Sequence, residues 1–332
     1  MTTMGDIARI AGVSASTVSH VLNGTRKVNA ETHLRVEAAI DETGYRRNVV
    51  ARALAGGRTH TVGLSISVLT NPYFGGLVHA VERALSDAGY VLIVGDSHDE
   101  AEPEKRVVDS LLGRRVDGMI VAPAAGSERA TLPQITGSAT PLVLIDRGAD
   151  VEADQVASEN LSAARSLTEH LLDLGHRRIG VVRGKPGISS TTERFDGYVA
   201  ALAARGIALD PGLVLDGDSN TDVAEREVRR LMSSADRPTA LVSMNNAMTI
   251  GTLKAVNSLG LSIPREAAFV CYDDFEWSDL FEPKLTAAAQ DVDTIGATAV
   301  ELLLRRIQGD DEAPQHIRVP TTFHHRNSCG CT

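Results

Sequence analysis

"GVSASTVSHVLNG", residues 12–24, decides how the start of this chain is read. At helical spacing Val18, Val21 and Leu22 fall at i, i+3 and i+4, whereas Ser16, His20 and Asn23 fall at i, i+4 and i+7 on the opposite side. One face is built to pack and the other to touch something polar. Upstream, "MGDIARIA" places Ile7, Ala8 and Ala11 on one face and stops at Gly12, which predicts a short helix. Ser14 is placed to N-cap the second helix, its hydroxyl accepting from the exposed N–H groups of the following turn. A third helix is expected from about Ala30, capped by Asn29, through Val36, Ala39 and Ile40 to Gly44. The pattern is helix, tight turn, helix, and a supporting helix.

Charge is divided unevenly around this segment. Residues 1–60 carry eight Arg or Lys against five acids, a net of +3, so the remainder carries −13 of the overall −10. A small basic head on an acidic body suits a head that meets a polyanion while the body is repelled by it. The 332 residues, 43% apolar and 23% charged, can bury more than one core. No run of eighteen apolar residues occurs and no secretory pattern opens the chain, so an intracellular protein is expected. Three cysteines, Cys271, Cys329 and Cys331, have no framework spacing and fit a reducing compartment.

From Thr61 onward, apolar runs of strand length alternate with amphipathic stretches. Strands are expected at 62–67, 91–95, 118–123, 142–146, 179–182, 240–244 and 267–273, and helices at 75–88, 161–174, 192–205, 222–233 and 245–259. Such alternation reads as βαβ units around buried parallel sheets. About 270 residues is large for one such sheet, so two similar lobes with a cleft between them are expected.

Taken in order, "MGDIARIAGVSASTVSHVLNGTRKVNAETHLRVEAAIDETGY", "NVVARALAGGRTHTVGL", "NPYF", "ERFDGY", "MNNAMTIG" and "CYDDFEW…PKLTAAAQD" closely resemble the lactose-repressor/galactose-repressor (LacI/GalR) family of transcription regulators along essentially the whole chain. The resemblance implies a small all-α helix-turn-helix DNA-binding head and an α/β two-lobed body like the type I periplasmic binding proteins. It implies a head at 1–47, a hinge helix and linker at 48–58, and an effector-binding and dimerisation domain at 59–332. Within that domain the N-lobe would take about 59–158 and 290–320, and the C-lobe about 159–289 and 321–332. Residues 16–23 become a recognition helix laid in the DNA major groove. By position Ala15, Ser16 and His20 match the family's base-reading residues, with Ser14, Thr17, Ser19 and Asn23 on the backbone. In the hinge, Asn48, Ala51, Leu54 and Ala55 match DNA contacts, Leu54 being the apolar wedge pushed into the minor groove.

In the body, the positions matching the family's ligand contacts are Asn71, Tyr73, Phe74, Asp146, Arg194, Asn246, Asp273 and Trp277, with Phe275 nearby. Aromatics can stack on a sugar or base, and Arg194 can donate a fork of hydrogen bonds, with Asp and Asn completing a polar lining. Asn246 stands where several sugar-responsive members have Asp, which removes a strong acceptor for sugar hydroxyls but keeps one acceptor and adds donors, so a sugar remains admissible. Ile188 stands where purine-responsive relatives have Arg, so the pocket lacks a group expected for reading an oxopurine. A sugar or sugar derivative is therefore the expected effector, with a phosphosugar or nucleobase corepressor as the alternative. The partners implied are a palindromic duplex operator and a second copy of the chain, in the cytoplasm, with no cofactor and no membrane. A dimer is expected in preference to a tetramer, because no apolar heptad tail precedes Thr332.

Other classes rest on other residues. "GDSHDE" (95–100) is similar to the nucleophile block of one serine-hydrolase group, but no matching Asp-x-x-His follows, so Asp96, Ser97 and His98 read as strand-end loop residues rather than an enzyme site. A solute-binding protein would explain the body but not the head. In "HHRNSCGC" (324–331), His324, His325, Cys329 and Cys331 offer ligands that would satisfy zinc. Adjacent histidines on a strand point to opposite faces, and a tail offers little to hold a closed site, so no metal is assigned.

Overall fold

In the computed structural model, residues 3–23, 26–45, 58–275, 278–280 and 282–331 are described. The chain divides into two compact units, Met1–Thr59 and His60–Thr332. In the first, α1 (Met4–Ala11) begins with a capping box, the Thr3 side chain accepting from the Asp6 N–H and the Asp6 carboxylate reaching back to the Thr3 N–H. It ends where Gly12 takes the left-handed conformation at φ 65°, the turn that lets α2 (Ala15–Asn23) follow at once. Helix α3 (Ala30–Thr43) is capped by Asn29, whose Oδ1 accepts from the Thr32 N–H at 2.7 Å. Ile7, Val18, Val36 and Ala39 are fully buried among the three helices, with Val21 and Leu22 packed against them. These are the residues that the helical spacing places inside.

The second unit contains two six-stranded sheets. The first consists of β1 (Thr61–Ile66), β2 (Val91–Asp96), β3 (Gly118–Val121), β4 (Leu142–Ile145), β5 (Asp154–Ser158) and β11 (His316–Val319), all parallel, in the order β11-β5-β4-β3-β1-β2. The second consists of β6 (Ile179–Arg183), β7 (Val214–Asp216), β8 (Ala240–Ser243), β9 (Ala268–Tyr272), β10 (Thr286–Gln290) and β12 (Thr321–His324), in the order β12-β10-β9-β8-β6-β7, with only β12 antiparallel to its neighbour. The chain crosses between the lobes after β5, after β10 and between β11 and β12.

Helices pack on both sheets: α4 (Pro72–Asp87), α5 (Ala101–Gly113), α6 (Ser127–Ala130), α7 (Leu132–Thr136) and α12 (Val292–Ile307) on the first, and α8 (Leu161–Asp173), α9 (Ser189–Ala204), α10 (Thr221–Met232) and α11 (Asn246–Ser258) on the second. In each lobe the order reverses beside the first strand, β1 between β2 and β3, and β6 between β7 and β8. The ends of such strands are where open α/β sheets bind ligands. No helix among the described residues is long and apolar enough to cross a membrane.

Candidate functional site

The head presents its polar face at the start of α2. Ser14 does cap that helix: its Oγ accepts from the Thr17 N–H at 3.1 Å and lies 2.8 Å from both the Ser16 and Thr17 hydroxyls. Ser14, Ala15 and Ser16 are exposed, Thr17, Ser19 and His20 are half-buried, and Asn23 closes the helix. No acid occupies the first turn, so the positive end of the helix is left uncancelled, the arrangement that suits a phosphate. Asn48, Ala51, Leu54 and Ala55 of the expected hinge lie outside the described residues, as does Trp277.

In the body, six of the expected ligand positions converge on one pocket between the lobes: Asn71, Tyr73, Phe74, Asp146, Arg194 and Asp273 all line it, around an empty volume of about 430 Å³ that includes its opening to solvent. Backbone geometry explains the convergence. Asp146 follows β4 at φ 70° and Asp273 follows β9 at φ 75°, so each lobe ends a central strand with an acid in the left-handed region. Asn71 N-caps α4, accepting from the Tyr73 N–H at 3.1 Å. The turn before it is held by Asp96, whose carboxylate accepts from the Val68 and Leu69 N–H groups at 2.9 Å and from His98 N–H at 2.8 Å. Burial alone would raise the Asp96 pKa, but these backbone donors bring it below the ordinary carboxylate value. The "GDSHDE" loop is thus a fastening for the pocket's first turn.

Arg194 is buried, not a surface ion pair. Its Nε donates to Asn160 Oδ1 and one Nη to the Met244 carbonyl, both at 2.7 Å, and the guanidinium lies 3.6 Å from the centroid of the Tyr272 ring. Burial works against its charge, but Tyr272, Asp273 and Asp146 outweigh it and raise its pKa. Asp273 accepts from the Gln290 amide at 2.6 Å and from the Asn246 N–H at 3.1 Å. Burial nevertheless dominates and raises its pKa above the usual carboxylate range, with Arg194 and those donors pulling the other way. The Tyr73 phenol is raised too, first by burial and then by Asp146.

Asn246 itself is 1% exposed and is absent from the pocket lining; its neighbour Asn245 lines it while also capping α11, accepting from the Met248 N–H at 2.9 Å. Phe74 belongs to the N-lobe core as well as to the pocket wall. The sequence reading missed Arg147 and Gln290. Arg147 lines the pocket and donates to Asp99 at 2.6 Å, Asp146 at 2.9 Å and Ser67 at 3.1 Å. Its signal was adjacency to Asp146 at a strand end. Two buried polar atoms of residues that line the pocket, Tyr73 Oη and Gln290 Oε1, have no hydrogen-bond partner among the described residues. A buried polar group left unpaired costs about 1–3 kcal/mol, so this cluster is set to receive a polar ligand or water.

Comparison with known proteins fits both halves. Residues 3–48 match the model for bacterial regulatory proteins of the lacI family, and residues 168–329 match the model for a periplasmic binding protein-like domain. The chain is 32% identical to the ribose operon repressor of Escherichia coli strain K12 over 99% of this chain and 100% of that one. It is also 32% identical to the transcriptional repressor PurR of Aliivibrio salmonicida over 93% of each. Among solved structures, the lac repressor dimer bound to operator and the anti-inducer ONPF superimposes with a TM-score of 0.88 at 28% identity, covering 99% of each chain. A head with an exposed, capped second helix and a body closed around a polar cleft thus coincide with relatives of nearly equal length that share both parts, and this chain belongs to the lacI family of bacterial regulatory proteins as a DNA-binding transcriptional repressor rather than an enzyme.

Proposed function

We propose that this repressor senses a small polyhydroxylated molecule, a sugar or sugar derivative, in the cleft, and that its occupancy sets the affinity of a homodimer for a palindromic operator in the cytoplasm. The observation that carries this reading is the pairing of Asp146 and Asp273 at matching strand ends with the buried Arg194, all lining one pocket. Two carboxylates accept from vicinal hydroxyls, a guanidinium donates to ring or anomeric oxygen, and Tyr73 and Phe74 supply the apolar wall on which a sugar face rests. The relatives point to both a ribose operon and PurR, and the pocket favours the sugar, because Ile188, one of its lining residues, cannot hydrogen-bond an oxopurine.

In the head, Ala15, Ser16 and His20 would read bases, with Ser14, Thr17, Ser19 and Asn23 on the phosphates. The lac repressor structure, a dimer on its operator, supports two such helices acting together. The test is a thermal-shift screen of the purified protein against sugars, sugar phosphates and nucleobases, repeated with a palindromic duplex selected from a random pool. A sugar that raises Tm and alters duplex affinity is the expected result, and Arg194→Ala should abolish both effects while leaving binding of the bare protein to the duplex intact. A nucleobase as the sole hit, or an Arg194→Ala variant responding as the parent does, overturns the assignment.

A further inference from the structure

Away from the cleft, one group of soft ligands among the described residues comes together from parts of the sequence far apart. His170 lies in the last turn of α8, His325 just beyond β12, and Cys329 and Cys331 on the segment that follows. One ligand atom from each lies within 4.8 Å of all the others. Cys331 Sγ is 3.7 Å from His170 Nε2, and the His170 and His325 rings meet edge to face with centroids 5.1 Å apart. Around a tetrahedral zinc ion with Zn–S of about 2.3 Å and Zn–N of about 2.0–2.1 Å, neighbouring ligand atoms sit roughly 3.3–3.8 Å apart. The four residues are within a small contraction of that geometry.

His324 is not among them. Its Nδ1 lies 2.9 Å from Asp274 Oδ2. The third nitrogen-bearing candidate comes instead from α8, which no local spacing could reveal. The segment is also well anchored. Ser328 is fully buried, its Oγ donating to the Phe269 carbonyl at 2.7 Å and accepting from the Thr286 N–H at 2.8 Å, while the Phe269 N–H donates to its carbonyl at 2.8 Å. Gly330, at φ 91°, turns the chain between the two cysteines. The Thr286 hydroxyl donates to Cys329 Sγ at 3.3 Å, the kind of outer hydrogen bond that steadies a metal-bound thiolate.

We propose that His170, His325, Cys329 and Cys331 form a closed, four-ligand site for zinc or a similar borderline divalent ion. Two thiolates and two imidazoles in a tetrahedral arrangement favour zinc over magnesium or calcium, and four protein ligands leave no open position, so the ion is structural. It clips residues 325–331 to the far end of α8, the helix whose N-cap residue, Asn160, holds Arg194 in the cleft.

The experiment uses the full chain, purified with a non-thiol reductant, stripped with chelator and titrated with Zn²⁺ or Co²⁺ alone. One zinc per chain, a tetrahedral thiolate Co²⁺ spectrum displaced by Zn²⁺, and a rise in Tm with free Zn²⁺ are expected. His170→Ala and Cys331→Ser should each weaken binding by about a hundredfold or more, while His324→Ala should not. Circular dichroism confirms that each variant is folded, and two independent ligand variants keep the result readable if one is not. Failure of the reduced protein to take up either ion, equal binding by the folded ligand variants, or recovery of the two cysteines only as a Cys329–Cys331 disulfide with no uptake after reduction overturns the proposal.

Discussion

Asp273 leaves β9 at φ 75°, a conformation that costs an L-residue about 1–2 kcal/mol, and the residue is 5% exposed beside Asp146 and Arg194. Its pKa is raised, chiefly by burial, which disfavours the charged form. The stability consequence has a definite sign. The folded chain binds this proton more tightly than the unfolded chain, so Asp273 costs nothing below the unfolded carboxylate value and costs progressively more as pH rises through its own raised value. A ligand whose hydroxyls donate to the carboxylate reverses that cost by favouring the charged form. Effector binding should therefore release a fraction of a proton, and affinity should rise as pH climbs through the raised pKa of the empty site. Calorimetry in two buffers of different ionisation enthalpy reads the release directly, and Asp273→Asn should remove it. Proton uptake on binding, or a release that persists in Asp273→Asn, would sink this account. At this scale the sequence was partly legible: two acids at strand ends stand out from the apolar runs before them. Arg147 was hidden because a charged residue after a strand reads equally well as solvent-exposed loop, and only the fold brings Asp99 and Ser67 to it.

Helices in the C-lobe touch with almost no gap where glycine allows it. A Cβ on Gly197 of α9 would sit 2.3 Å from the Leu161 carbonyl oxygen of α8, and one on Gly251 of α11 would sit 2.3 Å from the Thr221 carbonyl oxygen of α10. The obstacle is backbone in both cases, so it cannot rotate aside. Gly251→Ala gains about 1 kcal/mol of helix propensity but forces apart a packed pair, a strain of roughly 1–3 kcal/mol or more. The net expectation is a destabilisation of up to about 2 kcal/mol, seen as a lower urea midpoint. A midpoint equal to or above the parent's would show that the pair accommodates the methyl. The same elements show where pattern reading succeeds. The helices and strands expected in the second unit fall within a few residues of their bounds, because burial on one or both faces imprints a period, while helices α5, α6, α7 and α12 were not among those expected. Strands β5, β7, β10, β11 and β12 went unread: β7 has three residues, β10 is "TAAAQ", β11 and β12 are edge strands with exposed polar faces, and β5 opens with Asp154. That aspartate is 1% exposed and is satisfied by Arg306, which grips it with two hydrogen bonds at 2.7 and 2.9 Å, and by the Gln315 N–H at 2.8 Å, across separations in sequence that no window spans.

Across the second unit as a whole, closure of the cleft rests on a few polar contacts between lobes rather than on a shared apolar core, since the lobes' hydrophobic clusters are separate. Lys185 Nζ donates to the Asp99 carbonyl at 2.9 Å. The Ser189 hydroxyl accepts from the Gly148 N–H at 3.0 Å and donates to the Gly148 carbonyl at 2.9 Å, and Arg318 donates to Glu193. Individual hydrogen bonds of this kind contribute about 0.5–1.5 kcal/mol, and those to a charged donor about 1.5–3 kcal/mol. Their sum is small enough for a ligand to tip, which is what a two-state sensor needs. A pair of lobes this lightly latched should open when the latch is removed, without disturbing either core. Lys185→Ala combined with Ser189→Ala should increase the radius of gyration of the unliganded His60–Thr332 unit in solution scattering and speed hydrogen exchange at the Gly148 amide, with the urea midpoint nearly unchanged. Because the closed form must then be drawn from a smaller population, effector affinity should fall by about tenfold although neither residue belongs to the Asp146–Asp273–Arg194 set. A scattering profile and exchange rate identical to the parent's would mean that the ligand pocket is held closed by the three crossings of the chain between the lobes alone.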